Sequence, residues 1–215
     1  MLNERFLRNV LLPADLTNTE IFAAMKNTQN FFSTIRRETG IILSEIIQAN
    51  NFSGIVSNVF TKKLSDISKY KLNHDQRYPD LMYVEKEIGL EVKASNKPWK
   101  GGEGHNGHSG WHIIVCYTIL SDGDIEFVQA EIANLNGFET DSSDWKYQGS
   151  KRNTMNSQRT ETYITTATGT AKLRDGSVYL NTAAVSMSTA LIRNRIALEG
   201  DLPVPAYSPF STSKA

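Results

Sequence analysis

Residues 78–93, YPDLMYVEKEIGLEVK, hold the pattern that decides the predicted fold. Two β-prone runs, 81–84 and 88–93, flank a charged triplet at 85–87. Short apolar runs separated by a polar turn are typical of neighbouring strands. The stretch therefore predicts two adjacent strands, with Asp80 placed just before the first of them.

A helix is predicted before these strands, from residue 18 to about residue 50. Its apolar residues recur at the helical spacings of three, four and seven: Phe31, Phe32, Ile35, Ile42, Leu43, Ile46 and Ile47. The polar run 17–19, followed by Glu20, supplies capping groups at its start, and Gly40 is its weak point. A shorter helix is predicted around 55–67.

Strands dominate the middle of the chain. The run 112–120 is apolar enough to be buried on both faces, and the turn signal Asp122-Gly123 leads into a further strand at 125–130. The other expected segments are a glycine-rich loop at 96–110, a β-prone stretch at 160–168, a helix at 182–198 and an extended, mobile tail at 203–215. This order predicts an α/β fold, with an N-terminal helix and a mixed central β-sheet flanked by helices.

Composition restricts the classes of protein that fit. With 215 residues, 40% of them hydrophobic, the chain is expected to form a single folded domain. No apolar run reaches the roughly 18 residues of a membrane span, and the N-terminal segment lacks a signal-peptide core. Cys116, the one cysteine, lies in an apolar run and has no internal disulfide partner. These features predict a soluble, cytoplasmic protein without a membrane partner.

Charge is distributed unevenly along the chain. The formal net charge is zero, yet residues 145–174 contain six Lys or Arg and one Glu. A basic surface on an otherwise acidic body attracts a polyanion such as a nucleic acid. An ordinary solvated face is the alternative.

Three charged residues of the opening stretch indicate chemistry. Glu91 and Lys93 are two apart on a predicted strand, so their side chains share one face. If the two strands pair as a hairpin, Asp80 falls beside them. Two carboxylates held together repel each other, and a divalent cation such as Mg²⁺ relieves that repulsion. The alternative is a surface hairpin with an ordinary Glu91–Lys93 ion pair.

Pro79-Asp80 and Glu91-Val92-Lys93 resemble the motif of the PD-(D/E)xK nuclease superfamily, in particular its type II restriction endonucleases. The resemblance implies that Asp80 and Glu91 bind Mg²⁺ while Lys93 serves the attacking water in phosphodiester hydrolysis. It implies a restriction-endonuclease-like catalytic core over 18–135. Residues 136–215, where the resemblance ends, are then expected to form a strand-rich and helical extension for DNA recognition and dimerisation.

Glu45 is a further candidate metal ligand, because many members of that superfamily add an acidic residue from the first helix. It lies seven residues after Glu38, so both carboxylates share a helix face beside Ile42 and Ile46. An acid inside an apolar run requires a partner. The polar stripe of an amphipathic helix is the alternative explanation.

DNA contacts are predicted in two places. Lys97 and Lys100 lie in the glycine-rich loop, whose backbone amides can approach a phosphate. The second place is a set of side chains that suit the edges of guanine and adenine, although they could also contact phosphates alone: Lys151, Arg152, Asn153, Asn156, Gln158 and Arg159. Three histidines in and near the loop also have a spacing compatible with zinc binding: His105, His108 and His112. The lack of a good fourth ligand argues against a zinc site.

Together these features predict a Mg²⁺-dependent type II restriction endonuclease that acts on double-stranded DNA as a homodimer. A repair nickase or junction resolvase on the same scaffold is a second hypothesis. A non-catalytic DNA-binding module, or an unrelated α/β protein that binds a small anion through the glycine loop, belongs to a different class. The length of chain after residue 135 favours the restriction enzyme, because sequence recognition needs added surface.

Overall fold

The helices and strands are taken from a computed structural model that describes residues 2–73, 78–101, 103–104, 107–149 and 162–211. The helices are α1 (Asn18–Thr39), α2 (Leu43–Ile46), α3 (Ala49–Ile67), α4 (Ala167–Asp175) and α5 (Thr189–Ala197). The strands are β1 (Lys71–Leu72), β2 (Leu81–Tyr83), β3 (Ile88–Ser95), β4 (Glu103–Gly104), β5 (Gly110–Ile119), β6 (Ile125–Leu135), β7 (Trp145–Tyr147), β8 (Tyr163–Thr165) and β9 (Ser177–Leu180).

A mixed six-stranded sheet forms the centre of the molecule, in the order β1-β2-β3-β5-β6-β9. Neighbouring strands are antiparallel except for β3 and β5, which are parallel. The predicted α/β class with a mixed central sheet is therefore confirmed. Because β9 is hydrogen-bonded to β6, the sheet continues beyond residue 135, where the predicted core ends.

Helices α1 and α3 cover one face of this sheet with a large apolar core. Thr17 and Glu20 form the expected capping box at the start of α1. The prediction of one helix over 18–50 is wrong, because Gly40 adopts φ 71° and ends α1 in a left-handed cap. The chain then makes the single turn of α2 and enters α3, which begins at Ala49 rather than near residue 55.

A second layer covers the opposite face of the sheet. It consists of α4, α5 and a small sheet of order β4-β8-β7. The β-prone stretch at 160–168 is only partly a strand, since β8 ends at Thr165 and Thr166 caps α4. The helix expected at 182–198 is shorter than predicted, because Ser188 caps α5 and the chain before it is not helical. Among the helices of the described ranges, none is long and apolar enough to span a bilayer.

A buried ion pair fastens the C-terminal segment to this layer. The Arg195 guanidinium donates bidentate hydrogen bonds to the Asp175 carboxylate, at 2.9 Å from Nε to Oδ1 and 2.7 Å from Nη2 to Oδ2. It also donates to the Leu202 carbonyl at 2.8 Å, while the Ser208 hydroxyl donates to Asp175 at 2.7 Å. Phe210 is fully buried. The expectation of a mobile tail is therefore wrong as far as residue 211.

We expect Arg195→Ala to lower the free energy of unfolding by about 3–5 kcal/mol, because it leaves the Asp175 carboxylate buried without a counter-charge. Urea denaturation measures the change. Arg193→Ala removes an exposed arginine from the same helix and is expected to cost under about 0.5 kcal/mol. Equal costs for the two variants would show that the buried pair contributes no more than a surface charge.

A buried carboxyl group also lies on the second face of the central sheet. Glu131 is fully buried in β6; its Oε1 accepts a hydrogen bond from Gln129 Nε2 at 3.0 Å, and its Oε2 has no partner among the described residues. Burial raises the pKa of Glu131 to about 8. Glu131 is therefore mainly protonated at neutral pH in the folded chain and ionised in the unfolded chain.

This difference predicts a loss of stability as the pH rises. Because the folded pKa lies above the unfolded one, the Glu131 contribution should fall by about 1.4 kcal/mol per pH unit between about pH 4.5 and pH 8. Glu131→Gln should remove that dependence. Unfolding free energies of both proteins at the two ends of the range give the comparison, with Glu38→Gln as the exposed control. Parallel pH profiles for wild type and Glu131→Gln would contradict the assignment.

Candidate active site

The pairing of β2 with β3 places the three charged residues of the 78–93 stretch. Leu81 lies opposite Leu90, so Asp80 lies beside Glu91 at the start of β2. Side chains alternate along a strand. Leu90 therefore points into the core beneath the helices, as its burial shows, and Glu91 and Lys93 point to the opposite face.

Hydrogen bonds join these residues directly. The Asp80 backbone N–H donates to Glu91 Oε2 at 3.2 Å, and the Val92 backbone N–H donates to Asp80 Oδ2 at 2.8 Å. The Lys93 ammonium donates to Glu91 Oε1. The structure thus brings Asp80, Glu91 and Lys93 together on one face of two neighbouring strands, as their spacing predicts.

A close contact between the Pro79 ring and Gly89 holds the start of β2 in place. Pro79 packs so tightly over Gly89 that a Cβ atom at position 89 would lie 2.2 Å from Pro79 Cγ. A glycine is therefore required opposite this proline. The contact fixes the position of Asp80, the next residue, relative to β3.

The electrostatics of the site are those of two carboxylates with one cation. Burial and the neighbouring Glu91 charge raise the pKa of Asp80, while the Val92 N–H and the Lys93 charge partly oppose that rise. The side chain of Glu91 is 12% exposed and that of Lys93 is 35% exposed, so the cluster opens to solvent on one side. A further cation would therefore be stabilised between the two carboxylates.

The cluster is small for a metal site built from protein ligands alone. In the part of the chain that the structure describes, no group of three or more His, Cys, Asp or Glu side chains is arranged to hold a metal ion. Two carboxylates nevertheless suit Mg²⁺, which commonly takes one or two protein carboxylates and completes its shell with water and phosphate oxygens. Asp80 and Glu91 fit that pattern.

His112 is a neighbour of the cluster that the sequence reasoning did not assign to it. It lies beside Glu91 across the parallel β3–β5 pair, and its Nδ1 is 2.9 Å from the Gly110 carbonyl. Burial lowers its pKa to about 4, so the ring is neutral at neutral pH. The centroid of its ring lies 5.9 Å from that of Tyr78 and 5.2 Å from that of Trp145. The signal that could have found it is the cross-strand register, which is not local in sequence.

Glu45 does not join the cluster. It is exposed on α2, and the neighbouring Ser44 hydroxyl donates to the Gly123 carbonyl at 3.3 Å, in the turn after β5. His112, beside the cluster, lies near the opposite end of β5. The expectation that Glu45 supplies a metal ligand is therefore wrong. Glu38, the alternative, is exposed near the end of α1 and contacts Arg37.

The predicted DNA-contact residues are only partly described. Lys97 and Lys100 are both exposed in the segment that follows β3, and Lys100 lines a cavity of about 450 Å³ together with Thr170 and Arg174. The set proposed for base recognition lies outside the described residues: Lys151, Arg152, Asn153, Asn156, Gln158 and Arg159. His105 of the suggested zinc set is outside them as well.

No model of a protein family, no curated protein and no solved structure matches this chain. The function of the site is therefore inferred from its own residues.

We expect Asp80→Asn to raise the melting temperature at pH 7 in the absence of divalent ions. The Asp80 pKa is raised on folding, so its ionisation opposes folding, and the loss of stability develops as the pH rises above the unfolded pKa. Asparagine removes the charge but can still accept the Val92 hydrogen bond. A gain of about 2–4 °C corresponds to about 1 kcal/mol in a chain of this size. Differential scanning calorimetry measures it.

Asp80→Ala is the matched comparison, since it removes the charge and the Val92 bond together and should be less stable than Asp80→Asn. A lower melting temperature for Asp80→Asn than for the wild type would show that the two carboxylates do not strain the fold.

Proposed function

We propose that this protein is a magnesium-dependent endonuclease that hydrolyses phosphodiester bonds of double-stranded DNA. The observation that carries the proposal is the meeting of two carboxylates and one ammonium, Asp80, Glu91 and Lys93, on one solvent-open face of neighbouring strands. An ordinary surface ion pair would not need the second carboxylate, Asp80. This group is half-buried, and burial and the Glu91 charge raise its pKa, so holding it there costs free energy.

Asp80 and Glu91 are the residues that would hold Mg²⁺. Both carboxylates are fixed by backbone N–H groups, Asp80 by Val92 and Glu91 by Asp80, so little order has to be gained on binding. Bound Mg²⁺ would lower the pKa of a coordinated water and neutralise charge on the scissile phosphate.

Lys93 and the surrounding side chains supply the rest of the chemistry. Lys93 keeps a compact positive charge next to Glu91, where it can hold the attacking water and stabilise the extra negative charge of the transition state. His112 is neutral and buried beside Glu91, so it adds no competing charge. The neighbouring aromatic rings of Tyr78 and Trp145 would limit the access of bulk water to His112.

Within this class we assign the protein to type II restriction enzymes, which leave 5′-phosphate and 3′-hydroxyl ends. The support is the composition of residues 145–174, which contain six cationic residues and one acidic residue and could supply the DNA contacts that Asp80, Glu91 and Lys93 do not make. A cytoplasmic homodimer would present two such sites to the two strands of a symmetric sequence.

Asp80→Ala and Lys93→Ala are each expected to lower the rate of plasmid cutting by at least about 10²–10³-fold, because each removes a group that acts on the transition state. DNA affinity should stay within about threefold of wild type, since neither residue reads bases. Gel analysis with Mg²⁺ gives the rate, and fluorescence anisotropy gives the affinity. Loss of binding in either variant would refute the assigned roles.

Glu45→Ala and Lys62→Ala are the matched controls, since they remove an exposed carboxylate and an exposed ammonium far from the cluster. Both should cut as the wild type does. The form of the products separates the remaining hypotheses: discrete fragments indicate a restriction enzyme, and nicked circles a nickase. Unchanged plasmid in the presence of Mg²⁺ would exclude the nuclease. A chelator should stop cutting, and added Mg²⁺ should restore it.

A further inference from the structure

A chain of aromatic rings runs from the candidate active site onto the small second sheet. Neighbouring ring centroids are 4.3 Å apart for Tyr78 and His108, 6.2 Å for His108 and Phe138, 5.3 Å for Phe138 and Tyr163, and 5.2 Å for Tyr163 and Tyr147. These five residues are called the aromatic stripe. It begins two residues before Asp80 and ends on β7.

Two rings of the stripe are exposed although they are held in place. Phe138 is 49% exposed and Tyr147 is 47% exposed. The Phe138 backbone N–H donates to the Gly107 carbonyl at 2.9 Å, and Tyr147 lies opposite Tyr163 across the β7–β8 pair. Covering large, solvent-exposed aromatic rings with a flat partner is favourable. When the rings are already held in one position, little conformational entropy is lost on binding.

The position of the stripe and its nearest charges distinguish between the partners that could cover these rings. The stripe starts two residues before Asp80, so a strand cut there would pass over it. Of the described cations between 145 and 174, Lys172 pairs with Asp144 and Arg174 bonds to the Trp99 carbonyl, while the exposed carboxylate beside Phe138, Glu139, accepts a hydrogen bond from Ser109. Lys146, between Trp145 and Tyr147, is exposed. Aromatic rings combined with positive charge suit single-stranded nucleic acid, whose bases stack on the rings while its phosphates meet the cations.

We propose that the aromatic stripe stacks against unpaired bases of the DNA strand that is cut at Asp80 and Glu91. A base inside a duplex has both faces covered by its neighbours, so stacking on Tyr147 or Phe138 requires the duplex to be opened on one side of the cut. This inference rests on the proposed function and narrows its substrate to DNA that is opened or readily opened beside the scissile phosphate.

Binding in the absence of divalent ions tests the stripe independently of cleavage. Three labelled oligonucleotides are compared by fluorescence anisotropy: a duplex, the same duplex with a short internal mismatch bubble, and the single strand. The wild type should bind the bubble about tenfold more tightly than the duplex. Phe138→Ala and Tyr147→Ala should each weaken bubble binding by about 5- to 100-fold, the range expected for loss of one base–ring stack.

Two controls separate stacking from other effects. Tyr147→Phe keeps the ring and should retain wild-type affinity for the bubble. Ile46→Ala removes an exposed apolar side chain from α2, away from the stripe, and should change nothing. Melting temperatures confirm that all variants are folded. Wild-type affinity for the bubble in both Phe138→Ala and Tyr147→Ala would overturn the proposal.

Two other results have distinct meanings. If sedimentation shows a dimeric wild type but a monomeric variant that carries both Phe138→Ala and Tyr147→Ala, and DNA affinity is unchanged, a second copy of the chain covers the rings and the proposal is overturned. If bubble binding depends on the rings but Mg²⁺ never produces cutting, the stripe is supported and the nuclease function fails. If Mg²⁺ produces cutting but the ring variants bind the bubble as the wild type does, the nuclease function is supported and the stripe proposal fails.

Discussion

The register between β2 and β3 is the constraint on which the candidate site depends. Leu81 and Leu90 face each other and are both fully buried beneath the helices, and each contributes about 1.5–3 kcal/mol of hydrophobic stabilisation. A slip of one residue would expose these leucines and bury Asp80 and Glu91 in the apolar core. Hydrophobic burial on one face of the sheet therefore determines where the charged groups lie on the other face. The free energy that stabilises the two buried leucines exceeds the repulsion between two partly solvated carboxylates.

Both faces of the central sheet carry an apolar core, and on the face opposite α1 and α3 hydrogen bonds add to the packing. Trp99 shows this best: its backbone N–H donates to Gln129 at 3.1 Å, its carbonyl accepts from Arg174 at 2.9 Å, and its indole N–H donates to Ser186 at 3.2 Å. These bonds keep a bulky residue at φ 64°, a conformation that costs free energy. They fix the chain shortly after β3 and therefore the rim of the candidate site.

The parts of the site that follow from local periodicity could be predicted, and the parts that depend on distant pairing could not. Asp80 and Glu91 meet because a hairpin and a two-residue repeat are local features. The apolar spacing predicts the position of Glu45 wrongly because it implies a continuous helix through Gly40, where a left-handed cap ends α1. His112 was missed because its position beside Glu91 depends on a parallel strand pair joined by a long connection. Strand β9 has four residues and no clear alternation, so only its pairing with β6 reveals it.

The charges of the site explain why a divalent cation and a phosphate would have to enter together. In the proposed nuclease, two carboxylates against one ammonium would give the cluster of Asp80, Glu91 and Lys93 a formal charge of one negative unit, which would repel a phosphate. A divalent ion would reverse that sign, and the attraction would be strengthened by the same burial that raises the Asp80 pKa, because charges interact more strongly away from bulk water. In the proposed nuclease, the cost of holding the half-buried Asp80 near Glu91 would be released when the cation binds. A fully solvated surface ion pair has no such free energy to release.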